Sequence, residues 1–416
     1  MNVLVFIGIG ILALLGVPLF VVLTLAALTA FSFTDVSLSA VSVEIYRISS
    51  APTLLTIPLF TFSGYLMAES NSPKRLLRLA EAALGWMPGG VAIVSLVICA
   101  FFTAFTGASG VTIIALGGLL YPILQDEGFS EKFSLGLITT SGSLGLLFPP
   151  SLPIILYGLV AKVSIEKLFV AGIVPGILLI VILSLWSIRN GNFRHKKRDP
   201  FSIKKLFKAF KESFFEAILQ IGILTAIYGG FLTASEAAAM TAFYILVIEC
   251  FIYRDIHIFQ DVPKIIIESM SLVGGILLIL CCALGLTNFL VDQEIPSMIL
   301  ATMTNKFAFL LFLNVFLLIV GAMMDIFSAI VVVLPLIIPI AEDFGVHPIH
   351  LAIIFLTNLE IGYITPPVGI NLFISSFRFG KPITELYRAS LPYLLLMLVA
   401  LGIITYVPEL SLMWIE

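Results

Sequence analysis

Apolar runs fill almost the whole chain, and the polar stretches between them are short. Residues 54–67, 169–186, 214–232, 237–253 and 265–289 each read as one helix, in or near the range of about 17–25 residues that crosses a bilayer. The apolar positions are continuous rather than alternating, which argues for helices and against a β-barrel. Two blocks, 92–121 and 307–340, are too long for one crossing. Thr106-Gly107-Ala108-Ser109-Gly110 interrupts the first near its middle, and Gly321-Ala322-Met323-Met324-Asp325 interrupts the second. Each is predicted to be a hairpin that enters and leaves on one side.

The interruptions recur in register. Leu144-Gly145-Leu146-Leu147-Phe148-Pro149-Pro150 returns 217 residues later as Ile361-Gly362-Tyr363-Ile364-Thr365-Pro366-Pro367. At the same offset Pro122 falls on Pro339 and Pro175 on Pro392, so 105–175 is repeated as 322–392. Proline removes a backbone donor and clashes with the preceding turn, and the residue before it avoids helical angles. Each Pro-Pro pair therefore predicts a broken helix. Matching breaks in two halves of a membrane protein point to a transport site between them.

The composition agrees: 60% hydrophobic and 11% charged, against roughly half and a quarter in soluble domains. The one long polar run carries Arg189, Arg194, His195, Lys196, Lys197, Arg198, Lys204, Lys205, Lys208 and Lys211, and the positive-inside rule makes it cytoplasmic. Tracing outward from it leaves only Arg47, Lys162, Lys167 and Lys306 of the 22 Lys and Arg outside, with 18 inside. That trace holds only if both long blocks are hairpins, the first entering from the cytoplasm and the second from the periplasm. The halves are then inverted repeats, and irregular backbone at such depth must be buried in protein or line a cavity. Residues 204–215 are expected to form a helix lying in the membrane interface. The expected organisation is N-terminal scaffold helices in 1–50, a first repeat in 51–188, a basic segment with interfacial and central scaffold helices in 189–264, and the second repeat with a last helix in 265–416. No basic region precedes the first apolar stretch, so the N-terminus reads as a retained membrane helix rather than a cleaved signal.

Two hairpin tips and two breaks bring free carbonyls, free amides and hydroxyls to the midplane. Carbonyls with Ser or Thr hydroxyls suit a hard cation such as Na⁺, and helix N-termini suit an anionic group. One candidate Na⁺ site takes Thr106 and Ser109 from the first tip with Gly362 and Thr365 from the second break. By symmetry Gly145 and Ser141 of the first break are expected to face Asp325 and Ser328 of the second tip. The plainer reading is that these glycines only permit close helix packing. Asp325 is an ionisable residue in an apolar stretch, a functional candidate for a cation, a proton or the substrate, or else a cap on the next helix. Glu360, beside the second break, is a functional candidate of the same kind, or else only holds the backbone in shape. Ser151, just past Pro149-Pro150, is expected to be exposed and to contact substrate together with Asp325 and Thr106. No Lys or Arg occurs in the four motifs, so an anionic substrate would rely on helix ends, hydroxyls and bound Na⁺.

Thr233-Ala234-Ser235-Glu236 has the form of a capping box. Cys99, Cys250, Cys281 and Cys282 lie in apolar segments and read as small buried hydrophobes. His195, His257, His347 and His350 lie in loops or at helix ends with no evident partner ligand. No HExxH or P-loop is present, which argues against an intramembrane enzyme and against direct ATP hydrolysis, and a net charge of −3 gives no reason to expect nucleic acid.

These stretches resemble the large membrane subunit of the tripartite ATP-independent periplasmic (TRAP) transporters. The likeness runs through 58–67, the tip Thr106–Gly110, 141–151 with Tyr157-Gly158, 229–238, and Glu360-Ile361-Gly362-Tyr363-Ile364-Thr365-Pro366-Pro367-Val368-Gly369-Ile370-Asn371. Two departures are Ala234, where the family usually has Pro, and Phe148 before the first Pro-Pro. The resemblance implies an all-α polytopic, ion-transporter-like fold working as an elevator in the bacterial inner membrane. It implies Na⁺ as coupling ion, two or more per cycle, and adds Asn371 to the substrate contacts. It implies a small four-helix membrane subunit, not fused to this chain, and a periplasmic binding protein that delivers an organic acid such as a C4-dicarboxylate or sialic acid. A self-sufficient Na⁺/dicarboxylate or citrate symporter of the same plan is the alternative.

Overall fold

The computed structural model describes residues 17–32, 52–87, 89–190, 201–292 and 305–415, with short pieces at 8–9, 11–12 and 46. All regular elements among them are helical. The basic run from Arg194 to Arg198 and the loop around Glu294 lie outside the described residues, as does most of 1–50. The first elements are α1 (Leu19–Ser32), α2 (Thr56–Glu69) and α3 (Ser72–Leu84).

From there the chain is the same series of elements twice. The first series is α4 (Gly90–Thr106), α5 (Ser109–Asp126), α6 (Glu131–Ser141), the short turn Leu144–Leu147, α7 (Leu152–Ala161) and α8 (Ile165–Asn190). Between the series lie α9 (Ile203–Glu212), α10 (Phe214–Tyr228), α11 (Ala234–Val247, continued by a wider turn Ile248–Ile252) and α12 (Val262–Asp292). The second series is α13 (Lys306–Met323), α14 (Ile326–Val332), α15 (Leu334–Asp343), α16 (Pro348–Gly362), α17 (Ile370–Phe379) and α18 (Ile383–Tyr406), closed by α19 (Glu409–Leu412). The peptide bonds Pro149–Pro150 and Pro366–Pro367 are both cis. The α6–α7 pair is bent by 43° at its break. In the second series the returning arm is itself bent, by 58° between α14 and α15. Pro335 at the start of α15 accounts for this, since it cannot donate to the preceding turn.

Both long blocks reverse direction, as the hydropathy predicts. In the first, the Thr103 hydroxyl meets that of Thr112 at 2.7 Å across the tip, so the arms run side by side. In the second, Lys306 at the entrance donates to the Gly345 carbonyl at the exit (2.8 Å), and Phe309 stacks on Phe344. Helix α18 measures their relative orientation. At about 1.5 Å per residue its 24 residues cross a bilayer. Its start lies by Lys381, ion-paired with Glu131 just past the first hairpin, and its end carries Tyr406, stacked on Phe307 at the mouth of the second (4.8 Å). The hairpins therefore open on opposite faces, which makes the repeats inverted.

The repeats interlock. The entering arm of each hairpin packs on its own repeat's break, α4 on Leu144–Leu147 and α13 on α16, while the returning arm packs on the other repeat's post-break helix, α5 on α17 and α14 on α7. At the centre the Ser143 hydroxyl lies 3.4 Å from the carbonyl oxygen of Glu360, its repeat mate.

The central helices are tied to α3 by a buried charged knot. Arg75 is shared among Glu216, Glu249 and Asp255, with Tyr253 stacked on its guanidinium at 3.7 Å. Burial would raise the Asp255 carboxyl, but hydrogen bonds from Asn71 and Arg75 overcome it and hold it below the usual carboxylate range. The capping box forms in full, with the Thr233 hydroxyl accepting from Glu236 N–H and the Glu236 carboxylate accepting from Thr233 N–H, so Ala234 does not weaken it. The interfacial helix is shorter than expected: α9 stops at Glu212, and α10 starts at Phe214 after the single residue Ser213.

Candidate functional site

At the first tip α4 ends in a left-handed Gly107 (φ 63°), whose N–H caps back to the Thr103 carbonyl at 2.8 Å. Ala108 is extended, and α5 begins at Ser109 with no side-chain cap. The tip is clamped. A Cβ on Gly107 would lie 2.3 Å from Leu152, and one on Gly64 of α2 would lie 2.6 Å from the Cα of Thr106. The neighbouring break presses on the same hairpin, since a Cβ on Gly145 would lie 2.2 Å from the Ala100 carbonyl. The Thr103 hydroxyl donates to the Gly142 carbonyl at 2.8 Å. Thr106, Ser109 and Ser141 are buried among these groups, with the Ser141 hydroxyl turned back onto the Ile138 carbonyl (3.2 Å).

The second tip is built differently. Asp325 is the N-cap of α14: one carboxylate oxygen accepts from Phe327 and Ser328 N–H at 3.0 Å, and the other from the Ser328 hydroxyl. The next N–H, of Ile326, donates to the Tyr363 hydroxyl beyond the break (2.9 Å). A Cβ on Gly362 would lie 2.5 Å from the backbone of Gly321, and Gly369 N–H donates to the Ala322 carbonyl at 3.0 Å. The Thr365 hydroxyl donates to the Ile361 carbonyl (2.8 Å) and is half-buried.

The expected pairing is therefore corrected. Gly145 and Ser141 belong with the first tip, not with Asp325 and Ser328; Gly362 belongs with the second tip, not with Thr106 and Ser109. A break can press this closely on a hairpin's backbone only through a residue without a side chain, and Gly145 and Gly362 each meet the entering arm of their own hairpin, Gly145 at Ala100 and Ala104 and Gly362 at Gly321. The glycines thus serve close packing, and each of their carbonyls accepts one backbone N–H, from Phe148 and from Thr365 at 3.0 Å, with its second lone pair still available.

Two further expectations change, at Ser151 and Glu360, and the cap offered as one reading of Asp325 forms. Ser151 is fully buried rather than exposed, and its hydroxyl donates to the Leu146 carbonyl at 2.5 Å, closing the break. Asp325 does act as a cap, and both of its oxygens are engaged. Glu360 does not brace the backbone through its side chain: it is fully buried, and neither carboxylate oxygen has a hydrogen-bond partner among the described residues. Asn371 bridges the repeats. Its amide donates to the Thr139 carbonyl at 3.2 Å, its N–H to the Tyr363 carbonyl, and its side-chain oxygen is left without a partner.

Sequence reasoning missed Thr140 and Thr357. They stand 217 residues apart, both are fully buried, and both hydroxyls lack a partner. Buried polar groups are seldom left unpaired, and these hydroxyls join the Glu360 carboxyl and the side-chain oxygens of Asn358 and Asn371 among the buried polar atoms without a partner. The repeat offset, carried upstream of the breaks, would have found the threonine pair. Among the described residues no group of His, Cys, Asp and Glu is arranged to hold a metal ion of the zinc type. His347 caps α16 and His350 bonds Ser411 and Thr405.

The sequence model of the family described as "Tripartite ATP-independent periplasmic transporter, DctM component" matches residues 6–410. The chain is 35% identical over 391 residues to the C4-dicarboxylate TRAP transporter large permease protein of Pseudomonas aeruginosa, covering 93% of this chain and 91% of that protein. It is 36% identical to the isethionate TRAP transporter permease protein of Oleidesulfovibrio alaskensis, covering 95% of this chain and 64% of that one. It is 28% identical to the sialic acid TRAP transporter large permease protein of Vibrio cholerae, covering 87% and 86%. Among solved structures the Alcanivorax borkumensis YdaH transporter shares the fold, with a TM-score of 0.62 at 15% identity over 90% of this chain and 88% of that one.

Proposed function

Because the chain belongs to the DctM component family of the tripartite ATP-independent periplasmic transporters, we propose that it imports a small organic acid across the bacterial inner membrane, driven by Na⁺. The family's transport is secondary and tripartite, so the partners in this reading are a small membrane subunit and a periplasmic binding protein. The observation that carries the proposal is the doubled construction: two clamped hairpin tips, each set against a broken helix whose carbonyls and hydroxyls gather in a buried place. Such a place suits a desolvated hard cation. Two copies fit two or more Na⁺ ions, one drawing on Thr106, Ser109, Ser141 and Gly145, the other on Asp325, Ser328, Gly362 and Thr365. Asn371, with its unpartnered oxygen between the repeats, and the buried Thr106 are the candidates to face the substrate, whereas Ser151 is taken up in closing the first break.

The substrate reading favours a C4-dicarboxylate or a similarly small acid over sialic acid. The relatives named for C4-dicarboxylate and isethionate stand at 35% and 36% identity, the one named for sialic acid at 28%. An elevator movement is supported by the interlocking: with each hairpin packed on helices of both repeats, α4–α7 and α13–α17 suit motion as one body against helices held by the Arg75 knot.

The test is uptake into proteoliposomes holding this chain and its small subunit, with and without an inward Na⁺ gradient and with and without the binding protein. Labelled succinate and sialic acid are the probes. Uptake of succinate that needs both Na⁺ and the binding protein is the expected result. Na⁺-driven uptake without the binding protein would replace the tripartite reading by the self-sufficient symporter, and uptake indifferent to Na⁺ would overturn the coupling.

A further inference from the structure

A cavity of about 370 Å³ opens on the cytoplasmic face where α3, α9, α10 and the loop after α11 meet. None of its lining residues belongs to a hairpin or a break. Lys74, Arg78 and Lys211 line it, with Arg75 in its wall. The two carboxylates that share the lining are both occupied. Asp255 accepts from Asn71 N–H (3.1 Å), the Asn71 amide (3.0 Å) and Arg75, and Glu212 from Arg78 at 3.3 Å. Among the described residues Lys74 hydrogen-bonds only a neutral oxygen, that of Asn71, at 3.2 Å. The mouth is therefore cationic over a fixed floor, since the knot anchors α3 to α10 and α11.

One wall is apolar and continuous. Phe210, Phe214, Phe215 and Tyr253 follow one another edge to face, with centroids 5.9, 5.6 and 5.8 Å apart. The series runs from the cavity out to Phe214, 39% exposed on the outer surface. Helix α9 alongside shows where the bilayer begins. Ile203 (74%) and Phe207 (69%) are exposed beside Lys204 and Lys208, the pattern of a helix lying in the headgroup region. Trp86 packs edge-on against Phe201 at the same level, both half-exposed, as interfacial aromatics do.

We propose that this cavity holds the phosphate of an acidic phospholipid of the cytoplasmic leaflet. Lys74, Arg78 and Lys211 supply the charge, and the Phe210–Phe214–Phe215 edge receives the first carbons of the acyl chains. A free phosphate would use the cations but has no use for the aromatic edge. The bound headgroup would bridge α3 and α9, fixing the interfacial helix to the knot.

The purified full chain in detergent is titrated with phosphatidylglycerol and with phosphatidylcholine, and bound lipid is counted by native mass spectrometry. A saturable phosphatidylglycerol site is expected. Lys74→Gln/Arg78→Gln/Lys211→Gln weakens it by at least about tenfold, given the attraction of each basic residue to acidic lipid. Lys204→Gln/Lys208→Gln/Lys264→Gln removes as much charge outside the cavity and leaves the site within about threefold of the unaltered chain. Phe214→Ser weakens phosphatidylglycerol without changing the net charge. Where the cavity triple variant fails to fold, Lys211→Gln alone, on the exposed α9, reads the same site. Equal weakening by both triple variants, no saturation, or full displacement by millimolar inorganic phosphate would each overturn the proposal.

Discussion

The two breaks share a backbone and differ in chemistry. Both are cis Pro-Pro turns, and both carry a glycine pressed on the entering arm of their own hairpin. At the position before the first proline, however, the first has Phe148, whose ring sits on Gly176 of α8, and the second has Thr365 with its hydroxyl at the site. The first break is sealed: Pro149, Pro150 and Ser151 are buried, and Gln220 of α10 donates to the Pro149 carbonyl at 3.1 Å. The second is open: Pro366, Pro367 and Val368 are exposed at the face where Tyr387 of α18 reaches the Pro367 carbonyl. The tips differ in the same sense, with Ala108 where the second has Asp325. Duplication thus supplied two equal frames, and divergence made one neutral and covered, the other charged and accessible.

The largest test asks whether the frames are equal. Gly145→Ala and Gly362→Ala each drive a methyl into backbone, at 2.2 and 2.5 Å. Both should lower stability by a few kcal/mol, about 1–3 or more, read as a drop in thermal unfolding temperature in detergent. Tolerance at only one of them would show that the halves are not packed alike.

Next comes the charged tip. Asp325→Asn keeps an oxygen for the Phe327 and Ser328 N–H groups, so the unfolding temperature should move little while uptake falls at least about tenfold. Asp325→Ala should in addition cost about 1 kcal/mol for the lost cap. Normal uptake by the Asn variant would reduce Asp325 to a structural role.

A smaller effect separates the two proposed cation sites. Ser109→Ala and Thr365→Ala should each raise the Na⁺ concentration for half-maximal uptake by several-fold, about 1 kcal/mol of lost coordination. An unchanged Na⁺ dependence in both removes these hydroxyls from the sites. The smallest effect is common to both halves. Asp255 has a lowered carboxyl pKa, so the stability it contributes is present above the ordinary aspartate range and is lost as pH falls through and below it. Asp255→Asn should flatten the acid limb of the stability profile without altering Na⁺ dependence.

The breaks, the hairpins and their inversion were legible because proline, glycine and basic residues act locally. Pro149-Pro150 cannot continue a helix whatever surrounds it, and the positive-inside trace, with 18 basic residues expected on one side, holds only if both blocks turn back. The pairing of tips with breaks was not legible, because nothing in Gly145 or Asp325 tells which neighbour the chain will bring. The burial of Ser151 was hidden for a related reason: a hydroxyl after a break serves a site or staples the turn, and only the Leu146 carbonyl decides which. Glu360 and the pair Thr140 and Thr357 were visible as residues but not as unpartnered ones, which is a property of the packed centre alone.

The contact of Ser143 with Glu360 joins two residues that occupy the same place in the two repeats. An object built around such a point can be turned over and still fit its own outline. Exchanging the roles of the halves would bury the Thr365 break, uncover the Phe148 break and keep most contacts in kind. The two arrangements then differ in free energy mainly where mates differ, as at Ala108 and Asp325 or Ser151 and Val368. Under the proposed Na⁺ coupling, ends so nearly level would take their direction from the ion gradient, and reversing the Na⁺ gradient across the same liposomes should reverse the flow.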